Sequence, residues 1–374
     1  MTTLDAYLDN FDEEPGYLDF ARLGPLSRSV VAEEMAMSNL LARGRYGTIS
    51  TFEQQDSRLR TAVAALTGFR ADQVVFQPNT SQGLLHSVFG LQGTIALSAA
   101  EFPSLPFAAV RASDAVGALT PRWIDTVDGR VTPDSVRAAL TDDVTAVAVS
   151  LVDFRSGFRS DLAGIREVIG ERLLIVDAIQ GFGVVDAPYE VADVVASGGQ
   201  KWMRAGWGTG FLALSDRAVE RIAPLLSGFS ATGLDGTPVD EVLAAGPGAI
   251  GFQISRPDPI AQARFATALE DLAGVGVPVV GERIAERVSR IIDLADEFAI
   301  TVSSPRDDSN RAGIVALEPE ATTVTALVAS LHNHGVSATT RGSSVRLSPH
   351  VSTSEDTLAM LKGALMSFAS ALTG

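Results

Sequence analysis

Short apolar runs alternate along this chain with stretches of helical periodicity. Residues 73–77 (QVVFQ), 94–98 (TIALS), 144–150 (VTAVAVS), 172–177 (RLLIVD) and 193–197 (DVVAS) are brief, mostly rich in β-branched residues, and read as buried strands, with another at 210–214. Helical patterns lie between them, such as 133–140, opened by Pro133, and 160–169, opened by Ser160 and Asp161. This alternation predicts an α/β domain with a mostly parallel sheet covered on both faces, in which ligands bind beyond the carboxyl ends of the strands. Near residue 224 the pattern changes. Residues 224–259 are rich in Gly and Pro, Gly236 and Pro238 among them, and read as a long irregular segment of the kind that often serves function. Helices from about Pro259 to Ala273 and from about Val280 to Phe298 follow. Strand-like pieces at 311–317 and 343–348, a helix near 322–334 and a last helix from Ser354 then predict a smaller α+β domain.

Composition narrows the function classes. At 374 residues, 46% hydrophobic and 20% charged, the chain can bury one large core or two. A formal net charge of −16 argues against nucleic-acid and anionic-membrane partners, which need clustered Lys and Arg. Cysteine is absent, which excludes disulfides, thiolate metal sites and Cys nucleophiles. The acidic stretch Met1 to Glu14 lacks the features of a signal peptide, and no apolar run is long enough to span a bilayer, so the expected location is cytoplasmic. The four histidines do not suggest a metal site: His332 and His334 fall at a helix end before Gly335, where a capping role is expected. No Gly-rich nucleotide fingerprint follows the first strand.

Several positions carry candidate chemistry. Lys201 lies among Gly198, Gly199, Trp202 and Gly206, in a turn that something approaches closely. Asp177 ends the apolar run LLIV, and a carboxylate at the end of a buried strand needs a cation or hydrogen-bond donors. The ring nitrogen of pyridoxal 5′-phosphate (PLP) is such a cation, and a carboxylate keeps it protonated so that the ring withdraws electrons. Gln180, three residues on, can reach the ring hydroxyl. In QPNTSQG, Thr80 and Ser81 open a helix whose N-terminus suits a phosphate. Phe102 at a strand end can stack on a flat ring. Arg346 offers a planar fork for a carboxylate. Each residue alone also has an ordinary use, as surface lysine, turn cap, core aromatic or salt bridge. Their order along the chain is what points to one site.

In that order the chain resembles the class V aminotransferase group of fold-type I PLP enzymes, in its isopenicillin-epimerase-like and kynureninase-like branch. The resemblance is carried by YLDFARLGPLS (17–27), FQPNTSQG (76–83), EFPS (101–104), SLVDFRSG (150–157), VDAIQGFG (176–183), GGQKWMRAGWGTGF (198–211) and RGSSVRLSPH (341–350). It implies a large PLP-binding domain over 17–258, with a mostly parallel seven-stranded sheet between helices. A smaller α+β domain would comprise 1–16 and 259–374. It further implies a homodimer and a Schiff base on Lys201, which later moves the substrate α-proton. Asp177 would pair with the pyridine nitrogen, Gln180 with the ring hydroxyl, Thr80 and Ser81 with the phosphate. Phe102 would stack on the ring, and Arg346 would take the α-carboxylate of an amino-acid substrate. Asp153 and Ser197 are counted with the cofactor-binding positions.

The chain also departs from the group. Gly198 stands where relatives often have a phosphate-binding serine, leaving Ser197 one place off, and Gln200 stands where they often have histidine. Ser255-Arg256 replaces the Gly-Thr that reaches the partner subunit's phosphate, which points to Arg256 for that contact. Leu105 replaces the aspartate of the kynureninase branch and counts against kynurenine as substrate. Transamination is the default outcome for the group. A C–S lyase, an amino-acid epimerase and a non-catalytic PLP-binding protein remain as alternatives. The missing cysteine leads to the expectation that the chain is not a cysteine desulfurase working through a Cys persulfide.

Overall fold

A computed structural model describes residues 2–233 and 240–373. Gly236 and Pro238 of the Gly/Pro-rich segment lie outside the described residues. The elements run, in order, α1 (Leu4–Leu8), α2 (Arg28–Arg43), α3 (Thr48–Thr67), β1 (Val74–Phe76), α4 (Thr80–Phe89), β2 (Gly93–Leu97), α5 (Ser104–Val116), β3 (Leu119–Trp123), α6 (Pro133–Ala139) and β4 (Val144–Ser150). There follow α7 (Leu162–Ile169), β5 (Leu173–Asp177), β6 (Val194–Gly198), β7 (Gly210–Leu214), α8 (Asp216–Arg221), α9 (Pro259–Val275), α10 (Val277–Glu297), β8 (Val315–Leu317), α11 (Val324–Asn333), β9 (Thr339–Arg341), β10 (Ser344–Leu347) and α12 (Glu355–Thr373).

Seven strands form one sheet in the order β1-β7-β6-β5-β4-β2-β3. Strands β3, β2, β4, β5 and β6 pair in parallel, and β7 runs antiparallel to both its neighbours. The fold is therefore α/β with a mostly parallel sheet, as the alternating pattern implies. The central strands are buried along their whole lengths, which is why they read as continuous apolar runs rather than alternating ones. Helix starts follow the sequence signals: Asn79, Thr132, Asp161, Ser215 and Asp258 each accept a backbone N–H in the first turn, with Pro133 and Pro259 just inside.

Two readings of the pattern need correction. Strand β3 has no apolar run to mark it, because it contains Pro121 and Arg122; as an edge strand it pairs with β2 alone, where a proline is tolerated. The strand expected over 311–317 is ordered as a strand only at Val315–Leu317, since the backbone before it pairs elsewhere: Arg311 bridges to Phe158 and Ala312 donates to the Gly157 carbonyl.

The two faces of the sheet are packed differently. Ile95, Leu97, Ala146, Ala148, Ile175, Val194, Ala196 and Leu212 meet α4 and α5 on one face. Val147, Val149, Leu174, Val176, Val195 and Phe211 join a larger core with α3, α7, α9 and the C-terminal elements on the other. A second, three-stranded antiparallel sheet, β8-β10-β9, lies in the C-terminal region. The N-terminal segment bridges to it through Tyr17 with Ser337 and Asp19 with Ser348.

A buried arginine fastens these parts together. Arg204, in the turn after β6, donates to the Pro25 carbonyl at 2.5 Å and to Ser352 at 3.1 Å, and pairs with Glu13 at 2.5 Å. Its guanidinium lies 4.0 Å over the Phe11 ring. Removing one member of a buried ion pair strands the other, at about 3–5 kcal/mol. Arg204→Met is expected to lower unfolding free energy by that amount in a denaturant titration, whereas an exposed arginine such as Arg111 should change it by less than about 0.5 kcal/mol.

Candidate active site

Asp177, Ser150 and Gly198 are the last residues of β5, β4 and β6, and they point to the face covered by α4 and α5. Asp177 follows Ile175, and Gly198 follows Ala196, both on that face, and strand side chains alternate. The N-termini of α4 and α5 open at the same edge. This is the carboxyl edge of a parallel sheet, where its loops make room for ligands.

Asp177 is 2% exposed. One carboxylate oxygen accepts the Ile179 N–H at 3.1 Å, and the other, Oδ2, has no partner. Burial pushes its pKa up to about 6, opposed by the Ile179 hydrogen bond and by the charge of Lys201. Lys201 is half-buried, with its Nζ 5.5 Å from the centre of the Phe102 ring. Burial pulls the amine down to about 8; Asp177 raises it, and Arg346 and Arg341 lower it further. The chain has one other lysine, Lys362 on α12, which is paired with Glu297 of α10.

The Lys201 turn is tightly cut. Gly24 donates its N–H to the Gln200 carbonyl, and a Cβ on Gly24 would lie 2.1 Å from the Lys201 carbonyl oxygen. Trp202 donates its indole N–H to Gln180 Oε1 at 2.9 Å, while the Gln180 amide donates to the Ala21 carbonyl at 3.0 Å. That leaves Gln180 one amide hydrogen for a ligand.

At the start of α4, the Thr80 hydroxyl is buried and unpartnered. Ser81 Oγ shares a hydrogen with Ser104 Oγ at 2.7 Å, joining the two helix N-termini. Gly198 faces this point: a Cβ there would lie 2.4 Å from Gln200 Oε1 and 3.2 Å from Thr80 Oγ1. The two departures from the related pattern, Gly198 and Gln200, thus fit one another. Ser197 is buried and points to the opposite face, opposite Phe211 across β7, because a one-residue offset in a strand reverses the side chain. The structure does not bring it to the α4 N-terminus.

Asp153 is committed to its own turn. It accepts from the Arg155 and Ser156 N–H groups and the Ser156 hydroxyl, and it pairs with the Arg155 guanidinium at 2.9 Å. That turn presents Phe154, whose ring meets Phe102 edge-on at 5.2 Å. Arg346, on β10, donates to the Phe154 carbonyl at 2.8 Å and lies 3.6 Å from Asp19. Its Nε and Nη2 have no hydrogen-bond partner, and burial pulls its pKa down to about 10. Arg256 is exposed and stands apart, on a groove with Ile49, Phe52, Asp56, Phe229 and Ile250. Tyr46 and Trp207 are also exposed.

One further carboxyl group, unmarked by the sequence pattern, lies here. Glu101, 8% exposed, stands beside Ser150, and burial pushes it up to about 7; the Ser150 hydrogen bonds oppose this, and Asp177 and Asp153 add to it. It follows an apolar strand by four residues, a weaker form of the signal that marked Asp177. Among the described residues, no cluster of His, Asp or Glu could hold a metal, and no helix is long and apolar enough to cross a membrane.

These residues fit PLP. Asp177 Oδ2 is an anionic acceptor with no donor, which a protonated ring nitrogen supplies. The Thr80 hydroxyl and the N-terminus of α4 suit a phosphate. Phe102 offers a ring face near the one amine of the site.

The sequence model described as "Aminotransferase class-V" matches residues 25–370. An uncharacterized aminotransferase, YcbU, of Bacillus subtilis is 25% identical over 78% of this chain and 78% of its own. A probable hercynylcysteine sulfoxide lyase of Mycobacterium tuberculosis is 28% identical over 84% of this chain and 80% of its own. Among solved structures, a cysteine desulfurase of Thermococcus onnurineus superposes with a TM-score of 0.83 at 18% identity, over 96% of this chain and 95% of that one. The cystine C–S lyase C-DES, solved with its reaction product cysteine persulfide, gives 0.85 at 19% identity, over 95% and 97%.

These likenesses overturn the expectation that lack of cysteine sets the chain apart from the cysteine desulfurases. Desulfurases share its fold over nearly the whole length. A fold is set by its buried core, and a single thiol contributes little to that core. In C-DES, moreover, the persulfide is borne by the small-molecule product. From its fold, and from a family match that covers almost all of the sequence, the chain belongs to the class-V aminotransferase family.

Proposed function

We propose that this protein is a PLP-dependent enzyme that acts on an α-amino acid at Lys201 and transfers its amino group. The reading is carried by the buried, partnerless oxygen of Asp177 at the same strand edge as Lys201. It is supported by the family match and by a C-DES structure with glycine covalently linked to its PLP cofactor.

Bound here, PLP supplies an aldehyde carbon for amines and a ring that draws electrons from the substrate α-carbon. Lys201 provides the covalent attachment. Asp177 holds the proton on the ring nitrogen, and the N-terminus of α4 with Thr80 and Ser81 holds the phosphate. Phe102 packs on the ring face, and Gln180 turns its free amide hydrogen toward the ring hydroxyl. Arg346 grips the substrate carboxylate, which directs the Cα–H bond toward Lys201. Lys201, its pKa lowered by burial to about 8, is neutral in part near pH 7 and takes the α-proton.

A second reading, elimination of a β-substituent such as a sulfur group, is favoured by the two relatives named as lyases. Elimination releases the β-substituent, ammonia and a keto acid from a single substrate in one complete turnover, whereas transamination requires a second keto acid to turn over. We also assign Arg256 to the phosphate of a partner subunit in a homodimer. Ile49 and Phe229, large and exposed, border the same groove and fit an interface.

Four outcomes are expected. Borohydride reduction of the PLP-treated protein should place the label on Lys201, and its yield should rise with pH through about 8, where the neutral amine appears, not near 10.5. No label at Lys201 sinks the reading. Asp177→Asn should lower PLP affinity by roughly tenfold or more, the scale of one charged hydrogen bond. The cofactor-free wild type should lose stability as pH rises from about 4 to about 6, because its folded state holds the Asp177 proton longer, and in the variant this dependence should flatten. Arg256→Ala should weaken PLP binding at unchanged melting temperature in a protein that sediments as a dimer. Unchanged affinity removes Arg256 from the phosphate.

A further inference from the structure

Beside Arg346 the fold places a second arginine whose charge no acid neutralises. Arg346 pairs across the β9–β10 ladder with Thr339, so their side chains share a face, and Arg341, two residues beyond Thr339, shares it too. Both arginines converge on Phe154. Arg346 donates to its carbonyl, and the Arg341 guanidinium lies 4.9 Å over its ring. The Phe154 ring touches Phe102 edge-on, and Phe102 lies under the Lys201 amine. Lys201, Phe102, Phe154 and Arg341 are therefore linked contact by contact, from the buried amine to an exposed guanidinium, with Arg346 bonded to Phe154.

The nearby acids are already engaged. Asp19 accepts from Thr339 at 2.7 Å and faces Arg346 at 3.6 Å and Arg22 at 4.0 Å. Asp153 is held by Arg155, which lies 5.3 Å over the same Phe154 ring. The Arg341 side chain has no hydrogen bond and no ion pair among the described residues, and it is exposed to solvent. Its charge nonetheless reaches the site, where it disfavours the protonated forms of Lys201 and Arg346. In a chain with 45 acidic residues against 29 basic ones, an unpaired guanidinium beside these residues is against the general balance. It is also kept in place: Gly342, at φ +58°, closes the β9–β10 turn, and the Phe154 ring holds the cation over its face.

We propose that Arg341 binds a second anionic group on the substrate, so that the enzyme selects amino acids with an acidic side chain, the dicarboxylic ones being the simplest. The proposal rests on reading the site as a PLP amino-acid site. Arg346 takes the α-carboxylate, and the side chain extends along Phe154 to Arg341.

The test titrates the PLP-loaded full-length protein with L-aspartate and L-glutamate against L-asparagine and L-glutamine, following the cofactor's visible absorption. Succinate and butyrate are compared in parallel by thermal shift. The acids should bind at least about tenfold more tightly than their amides, and succinate should protect more than butyrate. In Arg341→Gln both preferences should fall to within about twofold, and Arg341→Lys should restore part of them. Equal affinity for acids and amides, or a preference that survives Arg341→Gln, overturns the proposal while the PLP reading stands. If no cofactor band forms, the PLP reading fails. A succinate preference lost in Arg341→Gln would then still support the two-arginine anion site, and its absence would overturn that site as well.

Discussion

Arg204 is a cation almost without contact with water, and the position of Lys201 depends on it. The arginine sits in the same turn as the lysine, its N–H bonded to the Lys201 carbonyl at 3.0 Å. A buried guanidinium is costly unless every donor finds an acceptor. Here the acceptors come from Glu13, Pro25 and Ser352, with the Phe11 ring against the guanidinium. The same turn is held from a second side, where Trp202 bonds Gln180 and His350 reaches the Trp202 carbonyl at 3.2 Å. The Lys201 amine is thus mounted on a braced turn, although it lies in a loop.

Around that turn the protein accumulates groups whose charge is not locally settled. Asp177 keeps one oxygen without a donor, Arg346 keeps two donors without acceptors, and Thr80 keeps a bare hydroxyl. Each costs folding free energy in the absence of a ligand. Glu101 belongs to the same pattern: burial holds it near neutrality, so it stands beside Asp177 without adding a full negative charge. The shifts in Asp177 and Lys201 have one origin, exclusion of water, and they move the two groups toward each other on the pH scale.

Much of this was legible in the residues. The central strands announced themselves because parallel strands buried on both faces leave continuous apolar runs, and Asp177 stood out because it ended one. The edge strand β3 did not, since Pro121 and Arg122 are tolerated only where one side lacks a partner. The distance of Ser197 from Lys201 suggests the cofactor side, but strand alternation sends it to the far face, a matter of parity that spacing in sequence does not convey. Arg341 carries no mark of its role in the sequence. Its meaning depends on the ladder register with Thr339 and on the acids around it being taken, and neither is visible before the chain is folded. The inference drawn from missing cysteine failed for another reason: it treated one nucleophile as the mark of a group whose common property is a scaffold.

The contacts of Arg204 also bear on when the site can exist. Ser352 bonds Glu13 across 339 positions of sequence, and the Lys201 turn leans on both. During synthesis the parallel sheet can pair long before residue 352 leaves the ribosome. The nascent chain would carry Lys201 in an unsupported loop until almost the last helix emerges. The setting of Lys201 is therefore completed only where both ends of the polypeptide meet.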